Sequence, residues 1–206
     1  MKLVFATANQ HKLEEIKAML SENIHISGLS DLGFMDEIPE TGSTLEDNAL
    51  LKARYIHERY GVSCFADDTG LEVEALNGAP GVYSARYAGL EGSSGQRAQA
   101  NIAKLLHELS GITNRNARFR TVIAWIDANN NSHLFEGVVQ GRIIEKATGN
   151  EGFGYDPIFI PDGYNITFAQ MPLSEKNQIS HRAIAFRKFA EELEQCVFFG
   201  KILTLP

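Results

Sequence analysis

Hydrophobic and polar positions along the chain switch between two spacings, and the switches mark alternating strands and helices. Short apolar runs at 3–6, 24–26 and 62–66 read as buried strands. A polar turn follows the first, after which Leu13, Ile16, Met19 and Leu20 recur on one helical face. Residues 31–42 form a long acidic loop carrying Asp36, Glu37 and Glu40. Ser43-x-x-Glu46 has the form of a capping box, in which a hydroxyl and a carboxylate satisfy each other's backbone N–H groups. The helix it opens runs to Tyr60, presents Leu45, Ala49, Ala53 and Ile56 to a core, and stops at Gly61.

Residues 71–76 alternate as a half-buried strand does and end at Asn77-Gly78, so Asp67 and Asp68 are expected between two strands, where the apolar run stops. A helix over 93–109 carries Ile102, Leu105, Leu106 and Leu109. Strands at 118–127 and 132–141, joined by the Asn-rich turn 129–131, predict antiparallel pairing. A short strand at 157–160 and a last helix over 181–195, with Ile184, Phe186, Phe189 and Leu193 on its buried side, complete the chain. The expected fold is α/β: an elongated mixed β-sheet with flanking helices, one domain over 1–206 in two closely joined lobes with a central cleft.

Composition changes little in this picture. With 44% hydrophobic and 22% charged residues, the chain can bury a sizeable core without staples. Cys64 and Cys196 lie far apart with no Cys-x-x-Cys spacing, which predicts free thiols and a reducing compartment. No apolar run reaches the roughly 18 residues of a membrane span, so the expected localisation is cytoplasmic, with no membrane partner. A net charge of −7 supplies no global basic field, so a nucleic acid polymer is not an expected partner. Convergent cations can still hold a small anion.

Five segments carry candidate chemistry. In Phe65-Ala66-Asp67-Asp68-Thr69-Gly70-Leu71, two adjacent carboxylates repel unless a cation or a proton relieves them, which fits a metal ligand set or a general base, while Asp and Thr before Gly is also ordinary turn chemistry. Thr7-Ala8-Asn9-Gln10-His11-Lys12 lies between strand and helix, where helix N–H groups favour phosphate; Asn9 as a simple helix cap fits equally. Lys52 shares the edge of an apolar stripe with Asn48, either snorkelling or delivering charge to a ligand. Glu151-Gly152-Phe153-Gly154-Tyr155-Asp156-Pro157 can close on a planar ring, and Ser174 to Arg182 gathers donors at a helix start with Ser180 as its cap.

Together with Glu40-x-Gly42-x-Thr44, Gly78-Ala79-Pro80-Gly81-Val82-Tyr83-Ser84-Ala85-Arg86-Tyr87-Ala88-Gly89 and Ser180-His181-Arg182, these segments resemble, in order and spacing, the inosine/xanthosine triphosphate pyrophosphatases. The resemblance implies hydrolysis of ITP, dITP and XTP to monophosphate and pyrophosphate with Mg2+ as cofactor, in a homodimer whose two-lobed fold binds the nucleotide in its cleft. It implies that Glu40 and Asp68 hold magnesium and that Asp68 is also the base, with Asp67 in support. Thr7, Ala8, Asn9, Gln10, His11, Lys12 and Lys52 would hold the triphosphate, with Thr69 beside the metal where many relatives carry serine. Phe153, Gly154, Tyr155 and Asp156 would enclose the base, and Lys176, His181 and Arg182 would contact the purine and its 6-oxo edge; the role of Arg86 stays open. A non-catalytic purine-nucleotide sensor, or a pyrophosphatase for another modified nucleotide, would use the same residues.

Overall fold

A computed structural model of the chain describes residues 2–19, 25–34, 36, 38–89 and 91–198. The expectations for Leu20, Ile24 and Glu37 fall outside the described residues. The described residues form an α/β structure. Its seven strands are β1 (Lys2–Phe5), β2 (His25–Ser27), β3 (Cys64–Val73), β4 (Pro80–Gly81), β5 (Asn116–Ile126), β6 (Ser132–Ile143) and β7 (Phe159–Pro161). They form one sheet in the order β2-β1-β3-β5-β6-β7, with β4 paired to β3. The sheet is mixed: β1 runs parallel to β2 and β3, whereas β4 pairs antiparallel with β3 and β7 with β6. Five helices accompany it: α1 (Gln10–Lys17), α2 (Leu45–Tyr60), α3 (Ser94–Glu108), α4 (Leu173–Ile179) and α5 (His181–Phe198).

The chain divides into two compact units, Met1–Asp68 with Thr121–Gly137 and Arg182–Pro206, and Thr69–Arg120 with Val138–His181. Each has its own apolar core. In the first, Phe5 of β1 stacks on Phe65 of β3 with ring centres 4.5 Å apart, and Phe189 of α5 tilts against Phe65 at 4.9 Å. Leu13 and Ile16 from α1 and Trp125 from β5 complete that core. In the second, Phe119, Phe159 and Phe168 cluster with Leu71, Leu105 and Met171. Burying one such side chain stabilises by about 1.5–3 kcal/mol, so the aromatic centres hold each unit's strands and helices together.

Three sequence expectations need correction. The two strands expected on either side of the aspartates are one continuous strand, β3. Gly70 does not end it; a Cβ there would lie 2.7 Å from the carbonyl oxygen of Gly81, so glycine is what lets β4 pair at this point. The cap of α2 is Thr44, whose hydroxyl accepts the N–H of Asp47 at 3.1 Å, one residue beyond the expected Ser43. Finally, residues 156–158 form a 3-10 turn before β7, and Leu173–Ile179 form a separate short helix, α4, that the sequence did not announce, while the last helix, α5, starts at His181 directly after Ser180, as expected.

Candidate active site

In the first unit, β3 carries both aspartates, and because successive strand residues point to opposite faces, the pair is split between two sets of cations. Asp67 receives Lys12 Nζ at 2.9 Å and Arg182 Nε at 3.2 Å. Arg182 also pairs through Nη1 with Glu15 of α1. Asp68 instead receives Lys52 Nζ at 3.3 Å on Oδ1 and Asn48 Nδ2 at 3.2 Å on Oδ2. The Lys52 ammonium lies 2.6 Å from Glu40 Oε1, so one cation bridges both carboxylates expected to hold a metal.

Local sequence explains how these groups arrive. Asn48 and Lys52 are one helical turn apart on the buried face of α2, beside Leu45, Ala49, Ala53 and Ile56. Asn48 Oδ1 also accepts the N–H of Gly42 at 2.8 Å, tying the Glu40 loop to the residue that orients Asp68. A Cβ on Gly42 would come within 2.9 Å of the Asn48 backbone nitrogen, so only glycine allows this approach. On α1, Asn9 is the cap: its side-chain oxygen accepts the N–H groups of His11 and Lys12. The Thr7 hydroxyl accepts the N–H of Asn9, while Ala8, Gln10 and His11 lie exposed.

Burial and charge act oppositely on the two aspartates. Burial alone would raise the Asp67 carboxyl, but Lys12 and Arg182 outweigh it and hold the group well below the usual carboxylate range. Burial raises Asp68, against the pull of Lys52 and Lys12, and Glu40 and Asp67 add to the rise. Burial pushes Lys12 down despite Asp67; Lys52 is buried too, yet Asp68 and Glu40 carry it up. A carboxyl depressed on folding contributes stability that is present above its unfolded pKa and is lost as pH falls towards its folded one. We therefore expect the wild type to lose stability as pH falls below about 4, and Asp67→Asn to show a shallower acid slope in urea unfolding. Equal slopes would remove Asp67 from the linkage.

The second unit holds the aromatic loop. Gly152 and Gly154, at φ of 71° and 62°, turn the backbone so that Asp156 Oδ2 accepts the N–H of Phe153 at 2.8 Å. Lys176 of α4 reaches the same carboxylate at 2.7 Å, and its ammonium lies 5.2 Å from the Phe153 ring centre. His181 stacks on Phe119 with ring centres 4.6 Å apart. Tyr155 is buried and donates its hydroxyl to the Ser84 carbonyl at 3.0 Å. Thr69 sits half-buried in β3, directly after Asp68. The Arg86 guanidinium lies 5.3 Å from the ring centre of exposed Tyr83.

Sequence reasoning missed Glu15, the buried partner of Arg182. Its only signal was position, three residues after Lys12 on the same helix and next to buried Ile16.

The fold and these residues define a class, an α/β protein whose buried carboxylates are balanced by lysines and arginine and whose second unit presents a glycine-aromatic loop. The family model of the Ham1 family matches residues 3–192, and the chain belongs to that family. A dITP/XTP pyrophosphatase of Flavobacterium psychrophilum is 56% identical over 187 residues, covering 91% of this chain and 96% of the relative. One of Porphyromonas gingivalis is 53% identical over 193 residues, with 93% and 97% covered. Among solved structures, the Ham1 protein of Staphylococcus aureus matches with TM-score 0.84 and 41% identity over 95% of this chain and 99% of that one. A nucleoside-triphosphatase / dITP/XTP pyrophosphatase of Mycobacterium abscessus matches with TM-score 0.74 and 40% identity, covering 92% and 98%.

Proposed function

We propose that the chain is a magnesium-dependent pyrophosphatase that hydrolyses deaminated purine nucleoside triphosphates, ITP, dITP and XTP, to the monophosphate and pyrophosphate. The observation that carries this reading is the Glu40–Lys52–Asp68 arrangement, two carboxylates joined by one buried ammonium and steered by Asn48, in a chain whose relatives are named dITP/XTP pyrophosphatases.

The residues present fit magnesium. Glu40 and Asp68 are hard oxygen donors, and magnesium binds through one or two carboxylates while keeping water and phosphate ligands. Among the described residues no group of three or more His, Cys, Asp or Glu could cage a metal, which suits a site completed by solvent and substrate. Once bound, magnesium would neutralise the charge on phosphate oxygens.

The chain's own residues do the rest. Asp68 is the general base that takes a proton from water attacking the α-phosphorus, and Asn48 and Lys52 fix its two oxygens. Lys52 and Lys12, with the capped start of α1, stabilise the charge that develops on the expelled pyrophosphate. Arg182 and Lys12 hold Asp67 ionised in support. Phe153 stacks on the base while Lys176 and His181 donate to it. Donors matched to a 6-oxo group are left unsatisfied by adenine's amino group, a mismatch of about 1–3 kcal/mol for each buried group. Arg182 orients Asp67. The protein works as a cytoplasmic homodimer; among the described residues no helix is long and apolar enough to cross a membrane.

Incubation with ITP and magnesium is expected to yield IMP and pyrophosphate in equal amounts. Chelation should stop turnover, and excess magnesium should restore it. IDP and orthophosphate as the only products would overturn the reading, and binding of ITP without turnover would favour a sensor. Preference for dUTP in competition would mark a pyrophosphatase for another nucleotide.

A further inference from the structure

The second unit contains a polar device that the reaction chemistry does not use. Helix α3 places Asn101, Lys104 and Glu108 at helical spacing, and all three grip the segment 84–88. Asn101 is 4% exposed; its amide nitrogen lies 3.2 Å from both the Ser84 and Ala85 carbonyls, and its oxygen accepts the N–H of Ala88 at 2.7 Å. Lys104 donates to the Tyr87 carbonyl at 2.8 Å with its ammonium 4.2 Å from the Tyr87 ring centre, and Glu108 accepts the Tyr87 hydroxyl.

The gripped segment meets the aromatic loop at Ser84. Its hydroxyl donates to the Gly81 carbonyl at 2.6 Å and accepts the N–H of Leu71 at 2.9 Å. Its carbonyl accepts two donors, Asn101 from α3 and the Tyr155 hydroxyl at 3.0 Å. Tyr155 precedes Asp156, whose carboxylate sets both the Phe153 backbone and the Lys176 ammonium. A buried carbonyl held from two directions fixes both donors, so freeing one loosens the anchor of the other.

We propose that Asn101 is a positioning residue for base discrimination: by fixing the Ser84 carbonyl it sets Tyr155, and through Tyr155 the placement of Phe153 and Lys176 against a purine. The inference rests on the assignment of 153–156 to the base. Lys104 and Glu108 serve the same task from the next turns of the helix.

The test is the ratio of kcat/KM for ITP to that for ATP, because loss of folded protein lowers both equally and cancels. Asn101→Ala is expected to lower the ratio roughly fivefold to tenfold through KM for ITP, with kcat within about threefold, since small misplacements of a binding group cost this much or more. Glu108→Gln, at a partly exposed side chain, should lower it about twofold to threefold, and it decides alone if Asn101→Ala does not fold. Combining Asn101→Ala with Tyr155→Phe should cost less than the product of the single losses. A ratio unchanged in the single variants, or fully multiplicative losses, would overturn the inference while leaving the function intact. A wild type without preference for ITP would overturn the functional reading and this inference with it.

Discussion

Asp68→Asn is expected to fold and to bind nucleotide while losing about 10²- to 10⁴-fold in kcat, the range for removing a positioned general base. The substitution keeps the volume and leaves Lys52 its 2.6 Å contact with Glu40, so the Glu40 loop stays tethered through Lys52 and through Asn48 to Gly42. What disappears is the proton acceptor and one hard ligand. The measurement is steady-state pyrophosphate release from ITP at saturating magnesium, beside wild type and Glu40→Gln. The Glu40 variant should lose magnesium affinity first and recover part of its rate as magnesium is raised; the Asp68 variant should not recover. A kcat near wild type for Asp68→Asn would remove Asp68 from the base role.

The second large effect concerns stability. Arg182 is 1% exposed and its guanidinium joins Asp67 to Glu15, so Arg182→Met would take away the cation that two buried carboxylates share. Breaking a buried ion network by removing one partner costs about 3–5 kcal/mol, because the remaining charges keep their desolvation penalty. Urea unfolding at pH 7 is the check, and a loss below about 1 kcal/mol would show that the network contributes little. The triple variant Arg182→Met, Asp67→Asn, Glu15→Gln should recover part of the loss, since both buried carboxylate charges go with the guanidinium while Lys12 gives up its contact with Asp67. The recovery would separate charge burial from the packing of the arginine stem.

The helix around Lys52 was legible because Leu45, Ala49, Ala53 and Ile56 recur at helical spacing, and all four are buried in α2. The stripe also flagged Lys52, since a lysine on an apolar edge has to find a charge partner. Asn9 as the cap of α1 was legible from residue type and place. Strand β3 was not, because Asp-Asp-Thr-Gly carries turn chemistry locally. The strand continues because its polar groups find partners from other elements: Lys12 and Arg182 for Asp67, Lys52 and Asn48 for Asp68, and β4 against Gly70. Helix α4 was missed for a similar reason. Seven residues are too few to display a period, and Lys176 is buried there only because Asp156 and Phe153 receive it.

By itself the sequence determined the α/β alternation, the buried faces of α2 and α5, the absence of a global basic field, and, through the order of its motifs, the family resemblance. Periodicity and composition are properties of neighbours along the chain, and they survive without knowledge of distant contacts. Only the tertiary structure decided that the adjacent aspartates do different work. Neighbours on a strand face opposite ways, so Asp67 is held ionised by Lys12 and Arg182 while Asp68 shares Lys52 with Glu40. It also decided that Glu15 and Asn101, unremarkable as letters, are buried partners of charge and of backbone. The pKa and the bond of a buried polar group are set by what lies across space from it, and that is fixed only when the chain has folded.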